Sequence, residues 1–336
     1  APLVAMLFPA MTYGEDIIVE GSVSENLLFN INNDIQTIYS IFLPHLKRIR
    51  IHADQVYNHS HQTDNVASGF SGGIDSFYTL SQHFYSREVS PGFRITHLLY
   101  NNVGSHGQAG EALWRKRYHR LKRLPDKYGI PFIGVNSNLE MFYQDYSFLQ
   151  SHTPRDASVA LLLQNGLGKY LYSSSINYHH LQINSRKPIT YSDSIILPKL
   201  STSSVQLISV GSDSSRVNKT QAVADIPDAQ ELLDVCIDET NEENCSQCFK
   251  CMKTQLALDV GGKLDQFNKV FNPEVYKKKR IEFITSIHRS QSIHLHEILD
   301  LAKEKEYHVP YRTRFYSVFR AYGIRKRIMA LVKVFG

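Results

Sequence analysis

Between Val66 and Val210 the chain alternates short β-rich runs with helical segments, and this constrains the fold more than any other feature. The runs Val66–Phe70, Ile95–Asn101, Pro131–Asn136, Lys169–Ser173 and Val205–Val210 read as strands. Ser76–Ser86, Glu111–Tyr128 and Arg155–Leu167 read as helices between them. Such alternation predicts an α/β fold: a parallel sheet with right-handed crossovers and helices on both faces. A sheet of this kind binds ligands beyond the carboxyl ends of its strands, where the strand order reverses.

The flanks read differently. Ala1–Met11 is apolar without a basic leader and reads as a buried strand rather than a signal peptide. Ile17-Ile18-Val19 reads as a second strand. Leu27, Leu28, Ile31, Ile35, Ile38, Tyr39 and Phe42 recur at helical spacing behind Ser24, and Arg48–His52 alternates like a strand. Residues 1–60 therefore read as a small α/β lead-in domain, with Asn58–Asn65 as a linker. Lys263 to Gly336 reads as mainly helical. No run of 18 apolar residues occurs, so no spanning helix is expected.

The chemistry concentrates in Phe70-Ser71-Gly72-Gly73-Ile74-Asp75-Ser76, which follows a strand and opens a helix. Two glycines let backbone N–H groups approach an anion. A helix N-terminus adds unpaired donors and a positive dipole end. Ser71 and Ser76 can add hydroxyl donors. Asp75 would repel a phosphate directly and is better explained as a ligand for Mg²⁺ brought by a nucleotide. Neither G-x-x-x-x-G-K-[ST] nor G-x-G-x-x-G occurs in the chain.

All four cysteines, Cys236, Cys245, Cys248 and Cys251, fall in a C-x8-C-x2-C-x2-C cluster. The spacing suits a closed, structural Zn²⁺ site, with an iron–sulfur cluster as the alternative. Clustering of this kind, with no export signal read, predicts a reducing, cytoplasmic compartment.

The loop Ser71–Ser76 resembles the SGGxDS pyrophosphate loop of the PP-loop ATP pyrophosphatases. Together with the cysteine spacing about 160 residues on, it is similar to the QueC-like (7-cyano-7-deazaguanine synthase-like) zinc-containing branch. The resemblance covers roughly residues 66–254. It implies a Rossmann-like, adenine nucleotide alpha-hydrolase-like core (66–235), a four-cysteine zinc motif (236–254) and a helical C-terminal region (255–336). It also implies ATP, Mg²⁺ and Zn²⁺. The expected activity is an AMP-forming ligase that adenylates a substrate carboxylate or carbonyl oxygen for attack by ammonia or an amine. The alternatives are sulfur transfer to RNA and a non-catalytic zinc protein that binds nucleotide.

Other residues are weighed beside that loop. Tyr100–Gly107 and Asn136–Asn138 follow strands and suit nucleotide or substrate contact. Arg155 could clamp an anion, with Thr153 as a plain helix cap. Ser173–Ser175 ends the fourth strand. Gly211–Thr220 turns into a helix with Arg216 and Lys219 on its first turn, where basic groups are unfavourable unless an anion sits there. Arg216 or Lys219 is therefore expected to face the ATP phosphates.

Charge narrows the partners. From Met252 onward the sequence holds 17 Lys/Arg and 8 Asp/Glu, a net of +9, within a chain of net +5. Arg312–Gly336 carries seven basic residues and no acidic one. An acidic partner there, a carrier or a nucleic acid, is the expectation, beside a small-molecule or peptide acceptor at the site. The oligomeric state is open, a homodimer included.

Overall fold

A computed structural model describes residues 1–58, 63–107, 110–287, 290 and 292–307. The chain forms two compact units, Ala1–Val223 and Ala224–Gly336. The first is α/β. Its strands are β1 (Ile17–Ser24), β2 (Ile51–Tyr57), β3 (Val66–Gly69), β4 (His97–Asn102), β5 (Phe132–Asn136), β6 (Lys169–Ser173) and β7 (Gln206–Val210). β1 and β2 pair in parallel as a separate two-stranded sheet. The other five make one parallel sheet in the order β5-β4-β3-β6-β7. From β3 the chain builds outward through β4 to β5, then crosses to the other side of β3 to lay down β6 and β7. The order reverses between β3 and β6, so the loops after those two strands flank the crevice where such sheets bind ligands.

Alternation along each strand sends successive side chains to opposite faces. On one face Phe70 and Phe132 meet edge to face, Phe70 meets Phe77, and Tyr100 stacks on Trp114. Phe77 and Trp114 belong to the helices Ile74–Leu80 and Gly110–Leu121, which cover this face. On the other face Ala67, Leu99, Tyr170 and Leu207 join one core with Ala157, Ala160 and Leu161 of the helix Phe148–Leu162.

Leu3, Val4, Leu7, Phe8 and Met11 belong to that same core, so residues 1–58 are not walled off from the sheet. These residues form a helix, Pro2–Tyr13, and not the expected strand. Its apolar residues run all round, which blurs the period, while Pro at the first turn and several strong helix formers favour the helix. Pro9 removes the donor that Ala5's carbonyl would receive, and the Tyr143 hydroxyl supplies one instead at 2.7 Å. The periodic run Leu27–Phe42 is helical throughout, with a π-turn at Ile31–Ile35. The strand expected at Arg48–His52 begins instead at Ile51, where its register with Ile17 starts.

The helix expected to begin at Arg155 begins earlier, at Phe148. It runs Phe148–Leu162, with Ser147 and Gln150 forming a reciprocal capping box. Pro154 sits inside it. Thr153 is therefore not a cap, and Arg155 lies mid-helix. The helical expectation for Glu111–Tyr128 resolves into Gly110–Leu121 and Arg123–Tyr128.

The second unit carries the cysteines, followed by the helices Phe249–Val260, Pro273–Ile287 and Ile293–Glu304. Asp259 ties it together: it accepts from the Tyr276 hydroxyl at 2.7 Å and the Tyr307 hydroxyl at 2.6 Å, and pairs with Arg280. The basic segment Arg312–Gly336 lies outside the described residues. No described helix is long and apolar enough to cross a membrane.

Candidate functional site

The glycine loop leaves β3 at the reversal point. Phe70 extends the strand by donating its N–H to Leu99. Gly72 then adopts φ +74°, a left-handed conformation that costs a side-chain-bearing residue about 1–2 kcal/mol. Gly73 caps the helix Ile74–Leu80, which continues through a π-turn to Tyr85, and no side chain caps this helix start. Ser71 is exposed. Ser76 is buried, and its hydroxyl donates back to the Gly73 carbonyl at 3.0 Å, so its proton serves the loop itself. Phe70 and Ile74 bury their side chains and offer the site only backbone.

Asp75 points from this helix start to the loop after β7. Arg216 Nη2 lies 2.6 Å from its Oδ2, and Lys219 Nζ lies 3.5 Å from its Oδ1. Both cations sit on the first turn of the helix Arg216–Ala224, which has no acidic residue there. Lys219 is 1% exposed. Its ammonium donates to the Ser174 carbonyl, just beyond β6, at 2.7 Å and sits 5.6 Å over the Tyr78 ring. Burial lowers its pKa, and the Asp75 charge opposes that shift. Gly211, at φ +82°, passes so close that a Cβ there would meet Tyr78 and the Lys219 ammonium. Two cations thus face one carboxylate, where three strand ends and two helix starts converge. Arg216 and Lys219, singled out from sequence, are brought together with Asp75.

Tyr100 is placed otherwise. Its ring packs on Trp114 and its hydroxyl meets His106 Nε2 at 2.9 Å, inside the sheet-facing core. Burial, with the Arg117 charge second, pushes His106 down to about 4, so it is neutral at pH 7. Arg155 is also buried. It donates to the Val103 carbonyl at 3.1 Å and stacks 4.1 Å over the Tyr143 ring, joining the segments after β4 and β5.

A second polar group has almost no signature in the sequence. On the face covered by Phe148–Leu162, Asp193 accepts from the Thr153 hydroxyl at 2.7 Å and the Thr190 hydroxyl at 3.3 Å. His152 meets Thr190 at 2.8 Å and the Tyr172 hydroxyl at 2.9 Å. Asp156 accepts from Asn101 at 3.1 Å. Burial raises Asp193 to about 8 and Asp156 to about 6. Burial, then the charges of Asp193, Asp156 and Asp75, raises the Tyr172 hydroxyl well above its usual range. Tyr172 therefore lies within electrostatic reach of both the glycine-loop aspartate and this cluster. Its sequence signal is only the run of polar residues, Ser151 to Thr153 with Arg155 and Asp156, in the first half of that helix.

In the second unit the four cysteine sulfurs all lie within 4.8 Å of one another. Cys236 and Cys248 are 4.0 Å apart, as are Cys245 and Cys251. A tetrahedral ion with metal–sulfur bonds of about 2.3 Å would space its sulfurs at about 3.8 Å, so the cluster fits one. Backbone N–H groups point at the sulfurs: Cys248 to Cys245 Sγ at 3.2 Å, Asp238 to Cys236 Sγ at 3.4 Å, and Cys251 to Cys248 Sγ at 3.5 Å. Ser246 makes the tight turn possible at φ 60°, held by its hydroxyl accepting from Asn272 N–H at 2.8 Å. The Cys251 thiol beside it holds Cys248 down, and Cys248 in turn pushes Cys251 up. Thiols this crowded ionise together only around a cation. These four residues can hold a metal ion.

Comparison of the chain with protein-family models, with curated proteins and with solved structures finds no match.

Proposed function

We propose that this protein is an AMP-forming ligase of the PP-loop ATP pyrophosphatase type, nearest the QueC-like branch, on a Rossmann-like core. One observation carries the reading: the glycine loop opens at the strand-order reversal, with Asp75, Arg216 and Lys219 gathered on it. Backbone N–H groups from Gly72 onward would take the β- and γ-phosphates, with Arg216 and Lys219 offsetting their charge. Asp75 would hold Mg²⁺, which neutralises the leaving pyrophosphate. An acceptor carboxylate oxygen attacks the α-phosphorus, and the bond from that phosphorus to the bridging oxygen breaks, releasing pyrophosphate. Ammonia or an amine then attacks the activated carbon, loses a proton and expels AMP. Positioning and charge neutralisation do most of this work.

The cysteine cluster favours a ligase over sulfur transfer. Its four thiols converge on one point and suit Zn²⁺, and they are all the cysteines in the chain, which leaves no thiol to carry sulfur. Zinc there would hold the second unit together and take no part in the reaction.

The test is product identification. The purified protein is incubated with Mg-ATP, an ammonium salt and a small-molecule extract. AMP with pyrophosphate, formed only when extract is present, is the expected result. ADP with phosphate would overturn the AMP-forming reading, and no turnover with any extract, RNA included, would favour a nucleotide-binding, non-catalytic protein.

A further inference from the structure

We infer that Arg216 is an exchangeable counter-ion for Asp75, which makes the site bind polyphosphate before it binds metal. The inference deepens the nucleotide reading above and rests on it.

Both oxygens of Asp75 face cations, Oδ2 at 2.6 Å from Arg216 and Oδ1 at 3.5 Å from Lys219. A divalent cation such as Mg²⁺ binds a carboxylate oxygen at about 2.1 Å and demands near-octahedral room. The guanidinium holds Oδ2 at hydrogen-bond distance and the Lys219 ammonium faces Oδ1, so a metal ion competes with a cation at either oxygen. Charge at contact range points the same way: two cations face Asp75, with Asp213 acting on Lys219 from farther off, so a lone metal ion must compete with a cation there whereas a polyanion finds two.

The two cations are not equivalent. Lys219 is fixed by its burial, its bond to the Ser174 carbonyl and the Tyr78 ring. Arg216 is 16% exposed on its side chain and begins its helix. Its Nε lies buried without a partner, so the guanidinium has donor capacity that Asp75 does not use. A phosphate, with three oxygens per group, suits a guanidinium fork better than one carboxylate oxygen does. Arg216 turning from Asp75 to the phosphate would free Oδ2 to hold a metal ion. No covalent bond of the chain is made or broken in the exchange; a hydrogen-bonded ion pair is given up for a coordinate bond and a new ion pair. Arg216 thus supplies positive charge beside Asp75 Oδ2, where a metal ion would supply it in its turn.

The experiment counts bound Mn²⁺, a paramagnetic stand-in for Mg²⁺, by electron paramagnetic resonance on the full chain, without and with inorganic pyrophosphate. Wild type should bind no Mn²⁺ alone at millimolar concentration and one ion once pyrophosphate is present. Arg216→Gln should bind one Mn²⁺ without pyrophosphate, and Asp75→Asn added to it should abolish that ion. Arg216→Gln should also bind metal-free pyrophosphate at least ~10-fold more weakly, the loss of a charge-assisted contact. Arg216→Lys, which keeps the charge, should exclude lone Mn²⁺ as wild type does, so a fold defect in the glutamine variant cannot imitate the result. Mn²⁺ binding to wild type equally well without pyrophosphate would overturn the exchange and leave the nucleotide reading standing. So would Arg216→Gln with no gain in metal binding. Failure of wild type to bind either pyrophosphate or ATP, with or without metal, would overturn both.

Discussion

The proposed reaction asks of Asp75 a charge that its shape alone cannot supply, and Asp75→Asn separates the two. The amide keeps the volume between Arg216 and Lys219 but removes the charge. AMP formation should fall by ~100-fold or more, the scale for losing a preorganised charge at a phosphoryl centre, with the far-UV circular dichroism unchanged. Unaltered turnover would remove Asp75 from the reaction. Asp193 makes a different prediction. Burial raises it to about 8 in the folded chain, against an ordinary value near 3.8. The folded state then holds a proton that the unfolded state releases between those values. Its contribution to stability is full below about pH 4 and is lost as pH rises through 8. Asp193→Asn keeps the hydrogen bonds to Thr153 and Thr190 within reach and cannot ionise. Urea titrations from pH 5 to 9 should therefore show a flatter decline for the variant than for wild type. An identical slope would refute the raised value. The two aspartates also differ in how they can be read. Asp75 sits in a local pattern, two residues after paired glycines, whereas Asp193 finds its partner Thr153 forty positions away. Only folding brings the second pair together, so no local window contains it.

Elements follow the same division. β6 is bounded as its β-rich run suggests, and the glycine loop opens its helix as the strand–turn–helix order implies. The N-terminal helix and the Phe148–Leu162 helix depart from expectation for local reasons. One is apolar on every side, and the other carries an internal Pro154 that mimics a helix start, although Ser147 and Gln150 spell its capping box. The glycine loop itself can be tested as an element. Gly72→Ala forces a Cβ into a left-handed turn and should cost about 1–2 kcal/mol in chemical denaturation, and ATP binding should weaken with it. A neutral substitution would mean that the loop is not held in this shape. The cysteine turn is tested by Cys248→Ser. This residue caps the helix Phe249–Val260 by accepting from Cys251 N–H, besides placing its sulfur in the cluster. Serine can keep the cap but not a soft thiolate. Bound metal, measured by atomic emission on the purified chain, should disappear, with a stability loss on the order of 4 kcal/mol or more. A stable, metal-free variant would mean that the cluster does not support the fold.

At the scale of the whole molecule, the chain divides at Val223 into units with separate sources of stability. The first has a continuous apolar core that runs from Leu3 to Leu207. The second buries Leu256, Leu258, Phe267, Ile284 and Leu295 and adds the cysteine cluster and the bonds around Asp259. Calorimetry should accordingly resolve two transitions. Chelator should lower one, and Mg-ATP should raise the other, because a ligand stabilises only what it binds. One transition that responds to both would contradict this independence. The strand order has a further consequence, in time rather than space. β3 lies between β4, about thirty residues later, and β6, about a hundred residues later. During synthesis the first neighbour is available early, but the other edge of β3 stays open until the ribosome has released Ser173. Pairings between distant segments are the slow steps of folding, and an open central strand invites mispairing while it waits. The crevice beside the glycine loop thus cannot exist on a nascent chain until its far wall arrives, and a ribosome stalled before residue 169 would carry a sheet with one side missing.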